Sequence, residues 1–270
     1  MKKLIVCLLL LAAALSLTAC GKTADPAFAE ISADGFAKIC EYNGAKIYCT
    51  PALERSDSGD LKLTVRIDAT ECQENIAVRL TDCTVNGFAL NTPSMYMTNA
   101  GSESEIYSNL WTSAMAAYGV KNYGTVKAGF AVYTFDPDTY ETCEAPVTTV
   151  APLSFDTGDS ASDTELSGLD DLIYDRDGIK VYSVQTEGDF YSVLNLCVSN
   201  ENDRDAVVTP AELTLNGETQ NADFSSYAIS VGAKGTAFST LPLSNFNYNA
   251  ETGVTEKLEV TSFALDFDVT

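Results

Sequence analysis

The chain carries one pattern twice, and that duplication limits its fold more than any single motif. Gly44-Ala45-Lys46-Ile47-Tyr48 is matched by Gly178-Ile179-Lys180-Val181-Tyr182, Gly59-Asp60 by Gly188-Asp189, and Val85-Asn86-Gly87 by Leu215-Asn216-Gly217. Ala100-Gly101 aligns with Val231-Gly232, and Phe130-Ala131 with Phe263-Ala264. The order is kept, and the offset stays between 129 and 134 positions. A unit of roughly 110 residues repeated in this way is the size of a domain, so two tandem modules are expected.

Each copy reads as β-structure. Leu61-Lys62-Leu63-Thr64-Val65-Arg66-Ile67-Asp68 alternates apolar and polar residues without a break, which suits a strand with one face on a core and one in water. Aligned on Gly59 and Gly188, Leu61, Val65 and Ile67 fall on Phe190, Leu194 and Leu196, so both copies bury the same face. Ile76, Val78 and Leu80 open a second strand that runs to Val85. Asn86-Gly87, and Asn216-Gly217 in the other copy, then supply residues that tolerate positive φ in a tight hairpin. Short strands punctuated by turns every 8 to 12 residues or so point to an all-β chain of two tandem antiparallel Ig-like sandwiches. In Leu110 to Tyr118, Trp111, Met115 and Tyr118 recur at helical spacing and predict a short helix crossing between the sheets; Leu241 to Asn249, with Pro242, predicts a loop at that place in the second copy.

The expected boundaries are a signal peptide over 1–19, a lipidated Cys20 with its tether over 20–37, a first domain over 38–156, an acidic linker over 157–172 and a second domain over 173–270. Lys2 and Lys3, the apolar run Leu4 to Leu15 and the small residues before Cys20 make a secretory signal too short for a spanning helix. Leu17-Thr18-Ala19-Cys20 resembles the lipobox of bacterial lipoproteins, which implies acylation of Cys20 and anchoring on the extracytoplasmic side of the cell membrane. Two acyl chains are what a stable anchor needs. The linker holds Asp, Ser, Thr and Gly and no Lys or Arg from Asp156 to Leu172, so the modules are expected to be beads with some freedom between them.

Gly178-Ile179-Lys180-Val181, Asn200, Val85-Asn86-Gly87-Phe88, Ala100-Gly101, Gly119-Val120 and Glu144-Ala145-Pro146-Val147-Thr148 together resemble a repeat found in envelope lipoproteins and zinc-ribbon proteins of Firmicutes, particularly gut Clostridia. The resemblance implies an Ig-like fold over about residues 38 to 270 and brings no catalytic residue with it. One departure stands out. With Phe263 to Val269 set against Phe130 to Phe135, the second copy has no counterpart of the closing strand through Val147 to Phe155. Either a sheet edge is left open to a partner strand, or the sheet is smaller, or the linker covers the edge.

The chain has no histidine, which removes His-dependent triads and His-containing zinc sites, and its net charge of −22 argues against nucleic acid. No SxxK, GxSxG, P-loop or GxGxxG motif occurs, no CxxC pair exists, and no cofactor, metal or catalytic residue is expected. Six cysteines remain after Cys20, which allow fifteen pairings if all are paired. Cys72 and Cys143 fall in loops at the same end of an Ig-like sandwich and are the preferred bridge, while Cys49 and Cys83 lie on apolar faces as small hydrophobes. Asp136-Pro137-Asp138, Asp170-Asp171 and Asp175-Arg176-Asp177-Gly178 are incomplete as calcium loops and read as solvated turns. Tyr107, Trp111, Tyr118 and Tyr123 fit core packing better than a sugar-stacking platform. The expected function is binding or display at the cell surface without catalysis, the membrane being reached through the lipid and the ligand being a protein or glycan. The alternatives are an accessory or cryptic enzyme acting on envelope polymers and a structural spacer.

Overall fold

In the computed structural model the described residues are 28, 31–92, 94–187, 192–220, 224–243, 248–249, 254–255 and 260–270. Their regular secondary structure is nearly all strand. In the first copy, β1 (Ala37–Tyr42), β2 (Ala45–Cys49), β3 (Glu54–Arg55), β4 (Leu61–Asp68) and β8 (Glu103–Asn109) form one sheet. It faces a second made of β5 (Ile76–Val85), β6 (Phe88–Leu90), β7 (Met95–Thr98), β9 (Val126–Thr134) and β10 (Thr148–Phe155). The second copy repeats the plan. β11 (Leu172–Arg176), β12 (Ile179–Glu187), β13 (Ser192–Asn200) and β17 (Thr236–Pro242) face β14 (Ala206–Leu215), β15 (Glu218–Gln220), β16 (Ile229–Val231) and β20 (Phe263–Val269). A two-stranded ribbon of β18 (Tyr248–Asn249) and β19 (Val254–Thr255) stands apart.

The alternation read in β4 is realised: Leu61, Leu63, Val65 and Ile67 are all fully buried, and the residues between them are half-buried. Each such side chain contributes about 1.5–3 kcal/mol by leaving water. The turn chemistry is realised as well. Asn86 and Gly87 have φ of 54° and 87°, Asn216 and Gly217 of 51° and 86°, the pair of left-handed residues a tight hairpin needs. Each Asn has a second task. Asn86 Oδ1 accepts from the Thr125 backbone N–H just before β9, and Asn216 Oδ1 from Thr261 and Ser262 just before β20, so the turn also sets where the partner strand enters.

Register corrects the alignment in two places. Phe130 lies opposite Leu80, and Phe267 lies opposite Pro210, the counterpart of Leu80, so Phe267 takes the place of Phe130 and Phe263 does not. The connection entering β20 is longer than the one entering β9, which displaces the sequence match by four residues. In the same way Ile67 pairs Ile47 while Val198 pairs Val181, so Val198 replaces Ile67 rather than Leu196. That shift is two residues, an even number, and the buried face is kept.

The helix is shorter than predicted, Ser113–Ala116 (α1), because Trp111 adopts φ +50° and blocks an earlier start. The buried Asp60 carboxylate accepts the Ser113 N–H at 2.6 Å, and Thr112 Oγ1 accepts the Leu61 N–H at 3.0 Å, tying the turn to β4. In the second copy Leu241 and Pro242 belong to β17 rather than to a loop; 244–247 lie outside the described residues. The acidic segment is not a free linker. Asp163 Oδ2 accepts the Lys121 and Asn122 N–H groups at 2.8 and 2.9 Å, Asp159 Oδ2 accepts that of Tyr123 at 2.8 Å, and the Ser167 N–H reaches the Tyr118 carbonyl. Composition pointed to solvated acids; here their carboxylates serve as acceptors for a loop that needs them.

Candidate functional site

The two copies meet through backbone. Past the Asn86-Gly87 turn, β6 runs parallel to β17, with Ala89 opposite Ala237 and Leu90 opposite Phe238, and the Asn91 N–H donates to the Phe238 carbonyl at 2.9 Å. Every other pair of named strands is antiparallel. This pairing merges one sheet of each copy into a single sheet of nine strands among the described residues. The cores merge with it, since Cys197 and Phe238 of the second copy pack in the core of the first. Phe238 is fully buried, its ring 5.5 Å from that of Phe88 and 5.6 Å from that of Tyr118. The Tyr118 hydroxyl lies 2.9 Å from both the Tyr182 and Asn195 carbonyl oxygens and shares its proton between them; burial pushes its ionisation far above the ordinary phenol range. The expectation of loosely joined beads therefore gives way to a welded pair.

Two hollows open along this weld. The larger, about 600 Å3, lies between the bulged end of β5 and the β14–β16 side of the second copy. Its polar lining residues include Thr81, Thr84, Asn91, Thr92, Ser230 and Thr270 and the acids Asp82 and Asp205, and no Lys or Arg is among its lining residues. Cys83 also lines it, but burial pushes its thiol up to about 12, so it stays protonated at neutral pH and makes a poor nucleophile. The smaller hollow, about 80 Å3, shares Asn91 and Thr92 with the lining of the larger and is walled also by Trp111, Tyr227 and Thr240.

Residues singled out in the sequence are scattered relative to this junction. Cys20 lies outside the described residues. Cys72 is buried and Cys143 half-buried; both are free thiols, and the Cys143 Sγ–H donates to the Ala145 carbonyl at 3.1 Å instead of meeting Cys72. Cys49 and Cys83 are buried free thiols. Asp136 accepts the Asp138 N–H at 2.8 Å and so closes its own turn. Of the four aromatic residues, Tyr123 is core, Tyr118 is buried between the two copies, Tyr107 is exposed, and Trp111 lines the smaller hollow. Asn91, Tyr227 and Thr240 were not foreseen. No local motif marks them, because they become neighbours only when one copy docks on the other.

Where the tether enters, Arg66 stacks on Phe36 and Tyr48, 4.3 and 4.8 Å from their ring centres, and donates to Asp34 at 2.6 Å. The Ser32 hydroxyl and this guanidinium hold the Asp34 carboxyl down to about 2. A depressed folded value means that the contact supports the fold above the unfolded value near 4 and that this support is lost as pH falls through about 2. Carbon-detected NMR is expected to show Asp34 titrating near pH 2, with Ser32→Ala and Arg66→Ala each moving it toward about 4.

The closing strand is absent from the second copy as described. β10 covers the outer edge of β9, whereas β20 pairs only with β14 among the described residues, and the acidic segment that was a candidate cover lies on the first copy. Asp266 and Asp268 stand exposed on β20, alternating with the buried Leu265 and Phe267. Like charges facing each other oppose self-pairing of such an edge. Replacing both by Val is expected to shift the protein toward species larger than the parent's, detected by light scattering after size exclusion; an unchanged profile would remove this role from the two acids.

No protein-family model matches the chain, and no curated protein matches it. Among solved structures, a Salmonella enterica SafA pilin in complex with the SafB chaperone is similar at 12% identity, over 74% of this chain and 84% of that one, with a TM-score of 0.22. Likeness at that level says nothing of function. Among the described residues, no helix is long and apolar enough to cross a membrane.

Proposed function

We propose that the protein is a lipid-anchored binding and display protein on the extracytoplasmic side of the membrane, without catalysis of its own, and that the junction of its two copies is the recognition element. The single observation that carries this reading is the weld: a parallel strand pair and a shared core hold the walls of a cleft of about 600 Å3 in fixed relation. A preformed cleft between domains is a favoured place for a ligand, because little ordering entropy is lost when it fills.

The test uses the chain from Gly21 onward as bait in envelope extract, beside the variant Ser230→Phe. Ser230 is exposed on the cleft wall, so a phenyl ring there fills space without touching either core. Capture is expected with the unaltered bait and not with the variant. Equal capture by both would move recognition elsewhere on the molecule. An accessory enzyme would instead turn over an envelope polymer, and a spacer would capture nothing with either bait.

A further inference from the structure

We propose that the open edge of β20 takes an extended, basic segment of another protein as one further strand, a contact separate from the junction cleft. The first copy shows what such a strand does. β9 and β20 are counterparts: Val126 lies opposite Val85 as Phe263 lies opposite Leu215, and Phe130 opposite Leu80 as Phe267 lies opposite Pro210. Along its other edge β9 is paired by β10, which sets Leu153 opposite Ala128 and Phe155 opposite Val126 and buries both in the first core. β20 has no such strand among the described residues.

Its backbone is set to accept one. Thr270 and Val207 exchange backbone hydrogen bonds at 2.9 and 3.0 Å, and the Asn216 N–H donates to the Ser262 carbonyl at 2.9 Å, so even-numbered residues along this stretch turn toward β14. Alternation then directs the N–H and C=O groups of Phe263, Leu265, Phe267 and Val269 to the open edge. One of these donors has a makeshift partner. The Phe267 N–H donates to the carboxylate of Asp266 beside it, at 3.0 Å, where a strand would offer a carbonyl. A hollow of about 310 Å3 opens against Ala264, Leu265 and Asp266, with residues 173–176 of β11 on its wall, so the edge is reached there.

Charge selects the partner. Where the covered β9 has Gly129 and Ala131 on the face turned from the core, β20 has the exposed Asp266 and Asp268. Glu212, also exposed, lies opposite Asp266 on β14, and Asp175 lines the same hollow. Arg176, the cation among the lining residues, is stacked on Tyr174, 5.4 Å from its ring centre. A second copy laid on this edge sets acid against acid, whereas a lysine or arginine at every second position faces Asp266 and Asp268 and gains from each. The residues between turn inward beside Phe263, Leu265 and Phe267, as Leu153 and Phe155 do beside β9, and so are apolar. The partner segment is thus an alternation of cationic and aliphatic residues, about as long as the seven residues of β20.

The probe is a fluorescein-labelled heptapeptide of alternating lysine and valine, titrated into the chain from Gly21 onward and read at equilibrium by anisotropy. Saturable binding is expected, and about tenfold weaker binding when Asp266→Asn and Asp268→Asn are combined; asparagine still offers the Phe267 N–H an acceptor. A peptide of equal charge with proline in place of valine is expected to bind at least about tenfold more weakly, because proline removes each N–H that valine turns to β20. With glutamate in place of lysine no binding is expected. Amide exchange followed by NMR should show Leu265, Phe267 and Val269 gaining protection with the peptide, while Asp266 and Asp268, already bonded to β14, do not change. Ser230→Phe lies in the junction cleft and should leave all of this intact, so either site can fail without the other. Absence of saturation up to about 1 mM overturns the proposal, as does equal affinity for the proline peptide, for the glutamate peptide or by the double variant. Loss of binding in Ser230→Phe would move the peptide to the junction cleft, and protection of the same amides that rises with protein concentration alone would give the edge to a second copy; either result also overturns it.

Discussion

Phe238→Ala is expected to lower the free energy of unfolding by about 3–5 kcal/mol and to split one cooperative transition into two. The side chain is fully buried, yet it belongs to the second copy and packs in the core of the first, edge-on to Phe88 and tilted against Tyr118. Truncation leaves a void between elements that cannot collapse toward each other. The backbone pairing of β6 with β17 and the Tyr118 hydroxyl on the Tyr182 and Asn195 carbonyls fix their separation. A large cavity term therefore adds to the lost transfer energy. The second effect follows from where the void lies. Each copy keeps its remaining core, and what weakens is the coupling between them. Urea unfolding followed by Trp111 emission, which reports the first copy and the junction, and by far-ultraviolet circular dichroism, which reports both copies, should coincide in the parent and separate in the variant. A single transition with a loss under about 1 kcal/mol, no more than a surface substitution typically costs, would mean that the copies are not joined through this contact.

What was legible in the sequence was whatever depends on near neighbours. The period-2 run of β4 exposed its buried face because alternate side chains of a strand must point to opposite sides, whatever the strand pairs with. The Asn-Gly turns were legible because two consecutive left-handed residues are a demand that few dipeptides meet. Even the misplaced register of β13 kept its face, since an error of two residues preserves parity. The junction was different. Nothing in Phe88-Ala89-Leu90 separates a strand ending its own sheet from one continuing into a neighbour, and the pairing with β17 joins residues nearly 150 positions apart. Asp159 and Asp163 show the same limit from the other side. An acidic, glycine-bearing stretch looks solvated, and only the fold reveals Lys121, Asn122 and Tyr123 presenting backbone N–H groups to it. Trp111 was visible as an aromatic at helical spacing, but its left-handed φ and its place at the seam are products of docking.

Cys20→Ser is expected to move the protein from the membrane fraction to the soluble fraction almost completely, with no intermediate degree of association. The proposed lipidation puts the whole attachment on one sulfur. Burying an acyl chain contributes about 0.8 kcal/mol per methylene, so two long chains hold the protein while one alone binds only marginally and reversibly. The charge of the body opposes a second, electrostatic attachment. Its net charge of −22 repels anionic headgroups, and signal cleavage would remove two lysines and no acid, making the processed chain more acidic still. A protein with a basic patch would keep part of its membrane association after losing its lipid; this one should keep none, and added salt should not alter the outcome. Two measurements separate the possibilities. Metabolic labelling with an alkyne fatty acid should mark the parent and not the variant, and carbonate washing should leave only the parent on membranes. A Cys20→Ser protein that remains membrane-bound after carbonate would place the attachment in the uncleaved apolar run Leu4 to Leu15, and the display role would then begin from a different anchor.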